Sequence, residues 1–169
     1  MALQILNNLE SLLSFRTKLN EMFAVLFSPA GLTMYNDDTI VASLAIAGQW
    51  YALEHADLLP KHDNLFTFSE GVATYIGVDT LDFSFNGSAN ISASKVSEIT
   101  FGLFKNDDVD PEIGATTPVD AATVGKKLNI GIATSITLET GDEVRVKARS
   151  DSVNTNLSVY TISTVLSSH

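Results

Sequence analysis

Ser135-Ile136-Thr137-Leu138-Glu139-Thr140-Gly141-Asp142-Glu143-Val144-Arg145-Val146-Lys147-Ala148-Arg149 alternates apolar and polar residues on both sides of a Thr-Gly-Asp turn. A period of two is the signature of a strand with one buried face, and Gly141 supplies the backbone freedom that a tight turn uses. The stretch therefore predicts a β-hairpin over 135–149. A second alternating segment, Leu157 to Leu166, carries bulk on both faces. Strict alternation puts Val159 and Val165 on one face and Tyr160, Ile162 and Leu166 on the other. A strand buried on both sides at the end of a small β chain needs cover for its second face, and another subunit is the simplest cover. Tyr160, Ile162 and Leu166 are therefore the expected subunit-interface residues.

Composition agrees with an assembled β protein. At 169 residues the chain fits one domain with room for a short appendage. Its hydrophobic fraction is 45%, only 18% of residues are charged, and mean hydropathy is +0.17. The net charge of −10 and pI near 4.5 disfavour a nucleic-acid partner, which needs a basic face. Cysteine is absent, which removes disulfides and thiolate metal sites. Met1 to Leu6 has no positive n-region, Glu10 interrupts the following apolar run, and no apolar segment reaches the length of a membrane span. Synthesis in a host cytoplasm, without a membrane partner, is the expectation.

Residues 3–27 are the one long stretch with helical period. Ile5, Leu9, Leu12, Arg16, Leu19, Phe23 and Leu26 step by alternating fours and threes, an apolar seam broken only by Arg16. This permits either a coiled coil or a helix packed on its own domain. Ser28-Pro29-Ala30-Gly31 ends it. The organisation expected is a helical arm over 1–32, serving docking or trimerisation, and a β domain over 33–169. Within that domain, strands are predicted at 39–46 and 49–53, although the alanine content there also allows a helix. Further strands are expected at 65–68 and 72–77, around Leu81, Phe83 and Phe85, around Ile99, Phe101 and Leu103, and at Leu128, Ile130 and Ile132. The segment with His55, Pro60, His62 and Asn64 reads as a loop, and Pro111 to Lys127 as a long connection. Eight or so short strands describe a sandwich or jelly roll.

Gly48-Gln49-Trp50, Thr74 to Gly77, Phe101-Gly102-Leu103-Phe104-Lys105-Asn106, Leu138 to Arg149 and Asn156-Leu157-Ser158-Val159, taken in order, resemble the trimeric, tumour-necrosis-factor-like jelly rolls of bacteriophage virions. The resemblance covers about 33–169 and leaves the arm outside it. It implies a mainly β jelly-roll sandwich whose inner sheet faces a threefold axis, with the terminal strand near that axis. It implies head fibres, capsid decorations or fibre tips, not enzymes.

Catalytic chemistry finds no motif. His55, His62 and His169 lack the spacing of a zinc site, and neither a nucleophile elbow nor a phosphate-binding Gly-rich loop occurs. Asn106, Asp108, Asp110 and Glu112 imitate the start of a calcium loop, but Pro111 stands where such a loop needs Gly, so a solvated turn is the better reading. No cofactor or metal is expected. Arg145, Lys147 and Arg149 form a basic stripe on one strand face, either solvated and paired or a contact stripe for an acidic partner. The resulting expectation is a homotrimeric capsid decoration or head-fibre protein on the virion surface, held through a major capsid protein or another virion protein. The alternative is a receptor- or glycan-binding tip of a tail fibre or spike, and a secreted cytokine-like ligand is a distant third.

Overall fold

The computed structural model describes residues 31–36, 38–53, 58–111 and 117–168. The arm's seam residues Ile5, Leu9, Leu12, Leu19, Phe23 and Leu26 lie outside the described residues. Gly31 and Leu32, counted with the arm in the sequence, already belong to the first strand. Among the described residues the chain is all β, in two six-stranded antiparallel sheets. The first sheet runs β10 (Leu128–Leu138), β7 (Leu81–Ala93), β12 (Thr155–Ser168), β1 (Gly31–Asn36) and β4 (Leu58–Asn64), with β2 (Ile40–Leu44) also paired to β12. The second runs β5 (Phe66–Ser69), β6 (Val72–Tyr75), β11 (Glu143–Ser150), β8 (Ser97–Lys105) and β9 (Thr117–Ala121), with β3 (Tyr51–Ala52) beside β11. This two-layer antiparallel sandwich is of the class that the sequence predicts.

The decisive stretch folds differently from the hairpin expected of it. Both strands form, but β10 pairs with β7 while β11 pairs with β3, β6 and β8, so the two lie in opposite sheets. The Thr140-Gly141-Asp142 turn is a corner between layers. Alternation reports which side of a strand is buried and carries no information about its partner. The corner is held by the end of β6: Gly141 N–H donates to the Tyr75 carbonyl at 2.8 Å and Tyr75 N–H donates to the Asp142 carbonyl at 2.8 Å. Gly141 sits at φ 91°, a conformation glycine adopts without a Cβ penalty.

Two strands lie where the sequence predicts a loop and a long connection. β4 carries Pro60 and β9 carries Pro118, and each pairs on one side only, as an edge strand. An edge leaves one row of backbone groups free of the ladder, so proline costs nothing there, and the polar composition hides the strand.

The layers close over Phe83, Phe85 and Ile91 from β7, Leu157, Val159, Ile162 and Leu166 from β12, and Ile99, Phe101, Leu103, Val144 and Val146 from β8 and β11, all buried. Phe66, Tyr75 and Phe83 form a ring triangle with centroids 5.4–5.5 Å apart. Each such large side chain contributes about 1.5–3 kcal/mol on leaving water. Strand order defines two ends of the sandwich. One end carries the start of β1, the end of β12, loops 76–80 and 106–111, and the corner at 139–142. The far end carries loops 45–50, 94–96, 122–127 and 151–154.

The core has one polar defect. Thr164 is 3% exposed and faces a small void lined by Phe85, Ala89, Phe101, Ile130, Val146 and Ile162, and its Oγ1 has no hydrogen-bond partner among the described residues. A buried hydroxyl without a partner costs about 1–3 kcal/mol. Thr164→Val should therefore stabilise the domain, raising the calorimetric melting temperature by about 2–4 °C for each kcal/mol recovered. An unchanged or lower midpoint would show that the hydroxyl is satisfied.

Candidate functional site: the outward face of the terminal-strand sheet

β12 lies at the centre of its sheet and contains a β-bulge between Val159 and Thr161, against β7. The extra residue resets the alternation. Leu157 and Val159 point into the core before the bulge, and Ile162, Thr164 and Leu166 point in after it. Ile162 and Leu166, expected at a subunit seam, are thus 5% and 1% exposed within a single chain and belong to its own core. Strict alternation had also placed Val159 with Val165, and the bulge separates them: Val159 is fully buried while Val165 is 40% exposed on the outward face. Among the described residues, β8 and not β12 is the strand buried on both faces. Ile99, Phe101 and Leu103 fill its inner side, and its outer side, Gly102 and Phe104, is covered by Trp50 and Pro111.

On the other edge of β12 the β1 ladder ends at Tyr35–Ser163 and the β2 ladder begins at Ile40–Val159, and the Asn36 side chain bonds the backbone between them. Its Nδ2 donates to the Tyr160 carbonyl at 3.3 Å, and its Oδ1 accepts from Ile162 N–H at 2.5 Å. One amide thus satisfies one acceptor and one donor at the point where the sheet would leave them bare.

Tyr160 does face outward. It is half-buried, its hydroxyl lies 3.0 Å from Ser92 Oγ, and Lys127 Nζ stands 4.1 Å from its ring centroid. Beyond it the outward face is a grid set by register. Along β7 stand Asp82, Ser84, Asn86, Ser88 and Asn90. β10 places Thr137, Ser135, Ala133, Gly131 and Asn129 beside them, and β12 places Ser167, Val165, Ser163 and Thr161 beside all but the first. Asp82 is the one charged residue of this grid, and its carboxylate accepts from the Thr137 hydroxyl at 2.6 Å. A shallow depression in the middle is lined by Asn86, Gly87, Ser88, Gly131, Ser163 and Val165. These outward positions were missed by looking for bulk. Their signal is the absence of charge: stretches 83–94, 128–138 and 152–168 hold no Asp, Glu, Lys or Arg.

The basic stripe lies on the outward face of the other sheet. Arg145 is ion-paired to Glu143 and lies 3.8 Å from Asp107. Lys147 Nζ stands 4.3 Å from the Phe104 ring centroid and donates to the Asp108 carbonyl at 3.3 Å, while the Arg149 guanidinium stands 4.7 Å from the Trp50 centroid. Two of the three cations thus cap the aromatic cover of β8. Among the described residues, no group of three or more His, Asp or Glu could hold a metal ion. Asn106 and Asp108 sit in the turn after β8, where Asn106 Nδ2 bonds Asp142 and its Oδ1 accepts from Glu143 N–H at 2.8 Å.

Solved structures share this architecture. The chain is similar to the structure of Eiger TNF from S. frugiperda, at 12% identity over 82% of this chain and 92% of that one, with a TM-score of 0.58. Murine APRIL at pH 5.0 gives 13% identity, 83% and 99% coverage and a TM-score of 0.54. PRD1 vertex protein P5 gives 9% identity, 83% and 98% coverage and a TM-score of 0.52. No protein-family description and no curated protein matches the chain in sequence. At these identities the likeness establishes the fold: the chain has the tumour-necrosis-factor-like jelly roll, found both in cytokines and in a vertex protein.

Two side chains make testable claims about this frame. Asn36→Ala leaves the Tyr160 carbonyl and Ile162 N–H without partners, and should cost about 1–3 kcal/mol in urea unfolding. A cost under about 0.5 kcal/mol would mean that the gap between the β1 and β2 ladders holds without the amide. Asp142 is pulled in two directions. Burial alone would raise its carboxyl pKa, but Lys105 at 2.7 Å, Asn106 and the Glu139 N–H bind the ionised form and hold it below the ordinary carboxylate value. A folded value below the unfolded one contributes stability above the unfolded pKa, about 3.9, and that contribution is lost as pH falls through the folded value. Asp142→Asn should therefore be destabilised by about 2 kcal/mol at pH 7, with the gap to wild type closing below about pH 4. A gap independent of pH would remove the carboxylate from the account.

Proposed function

We propose that this chain is a non-enzymatic structural protein of a bacteriophage virion, a homotrimer that sits on the capsid as a decoration or head fibre. The observation that supports it most is the outward face of the β10-β7-β12 sheet. A chain with net charge −10 keeps a broad, flat, nearly charge-free face of Ser, Asn, Gly, Ala and Val on one side. Free solvent contact gives no reason to exclude charge from an acidic protein's surface. A close-packed seam between copies does, because a buried unpaired charge costs several kcal/mol. In this reading Val165, Ser163, Ser88 and Gly131 meet their counterparts around a threefold axis, and Tyr160 flanks the seam. The vertex-protein likeness supports a virion setting.

Residues 1–30 form the attachment arm in this proposal, with Ile5, Leu9, Leu12, Leu19, Phe23 and Leu26 as its apolar seam. The arm leads into β1 at the end of the sandwich where Gly31 pairs with Ser167. Three arms on one trimer engage repeated capsid sites, so that modest single contacts give long residence.

Light scattering coupled to size exclusion should give a trimer mass for the full chain. Ser88→Arg, outward-facing and harmless to a single sandwich, should give folded monomers at micromolar concentration; a wild-type monomer, or a trimer indifferent to Ser88→Arg, contradicts the reading. Added to capsids that lack the protein, the full chain should bind, and Leu12→Asp with Leu19→Asp should abolish binding while keeping the trimer. Unchanged binding by that variant would move the docking surface onto the jelly roll.

A further inference from the structure

The far end of the sandwich, remote from the start of β1, differs in chemistry from the rest of the chain. Four loops meet there, and each carries one exposed aliphatic side chain: Ile46 at 58%, Val96 at 59%, Val124 at 57% and Val153 at 52%. The loops are tied together. Gly48 N–H donates to the Ser150 carbonyl at 2.7 Å, Asn154 N–H to the Ala45 carbonyl at 3.0 Å, Lys95 Nζ to the Val153 carbonyl at 2.9 Å, and Gly125 N–H to the Ala93 carbonyl at 2.9 Å. The four side chains therefore project from a braced surface and not from independent floppy turns.

Charge is polarised along the same axis. Among the described residues the far end holds Lys95, Lys126, Lys127 and Arg149, against Glu98, Asp120 and Asp151. The Asp151 carboxylate is already engaged by Glu98 N–H at 2.9 Å and the Ser152 hydroxyl at 3.2 Å. The opposite end carries Asp79, Asp82, Asp107, Asp108, Asp142 and Glu143, with Lys105 and Arg145 against them. That end also exposes Ile76 and Val78, but among carboxylates. Among the described residues, the far end thus sets its exposed aliphatics among more cations than carboxylates, and the opposite end the reverse.

We infer that the far end is a contact surface for an anionic lipid bilayer. Aliphatic side chains on separate convex loops do not enclose a pocket for a partner's side chain. They fit a deformable apolar layer, entering below headgroups whose negative charge the surrounding lysines meet. The acidic opposite end is repelled by the same surface, so the field of the whole chain orients the molecule with this end toward the lipid. A peripheral contact of this kind needs no spanning segment, so the lack of one in the sequence does not oppose it. Nor does the inference depend on trimerisation or capsid attachment; a trimer would place three such tips side by side and multiply the contact.

The test is co-sedimentation of the full chain with vesicles of phosphatidylcholine alone and of phosphatidylcholine mixed with phosphatidylglycerol, at low and high salt. Binding is expected to the anionic vesicles only and to weaken as salt screens the lysines. Lys126→Ala should reduce binding about fivefold, and Val124→Asp should reduce it further. Val78→Asp at the opposite end should leave it unchanged. All three positions are exposed, and matching far-ultraviolet circular dichroism and melting curves check that the fold is kept. Absence of wild-type binding to anionic vesicles overturns the inference, including the case where the same end captures a protein instead. So does equal binding to both compositions, or full binding by both Lys126→Ala and Val124→Asp.

Discussion

The bulge in β12, beside which the Asn36 side chain ties the strand's other edge, decides which of its residues face the core. β12 is the central strand of its sheet, paired along different parts of its length with β1, β2 and β7. A 14-residue strand with unbroken alternation could not place Val159, Ile162 and Leu166 on one side. The bulge against β7 permits it, and on the other edge of β12 Asn36 pairs with the two backbone groups that lie between the β1 and β2 ladders. From that local arrangement follow a core closed within one chain and an outward face left to small uncharged residues. The same step in register turns Tyr160 outward, where it covers Ser92.

The second constraint is the corner at Asp142, where the chain leaves one layer for the other. Its carboxylate accepts from Lys105, Asn106 and the backbone of Glu139, while its carbonyl accepts from Tyr75 N–H. A single acidic residue thereby joins the ends of β6, β8 and β10 to the start of β11. That junction gathers charged groups at one end of the sandwich, while the far end is braced by hydrogen bonds between its loops. The two ends are built by different means and present different surfaces.

Much of the fold was legible because burial writes a period of two into a strand. Phe83 with Phe85, Ile99 with Phe101 and Leu103, and Val144 with Val146 are placed correctly by that period alone. What stayed hidden is what the period does not encode. It cannot name a strand's partner, so β10 and β11 read as a hairpin though they lie in separate sheets. It cannot show a bulge, so Ile162 and Leu166 were assigned to the wrong side. Edge strands with Pro60 and Pro118 carry little apolar signal, since half their backbone and one side of each lie outside the ladder. The candidate interface left a trace of another kind, in three long stretches free of charge, which a search for bulky residues passes over.

The bulge sends Ile162 into its own chain's core and turns Val165 outward, onto the face proposed as the seam between copies. Because the chain has no cysteine, a single thiol can be introduced cleanly at either position. Val165→Cys carrying a nitroxide label should show strong dipolar broadening between subunits in the native protein, and Ile162→Cys should resist labelling until the protein is unfolded. Rapid native labelling of Ile162→Cys, or a magnetically isolated label at Val165→Cys, would contradict the account.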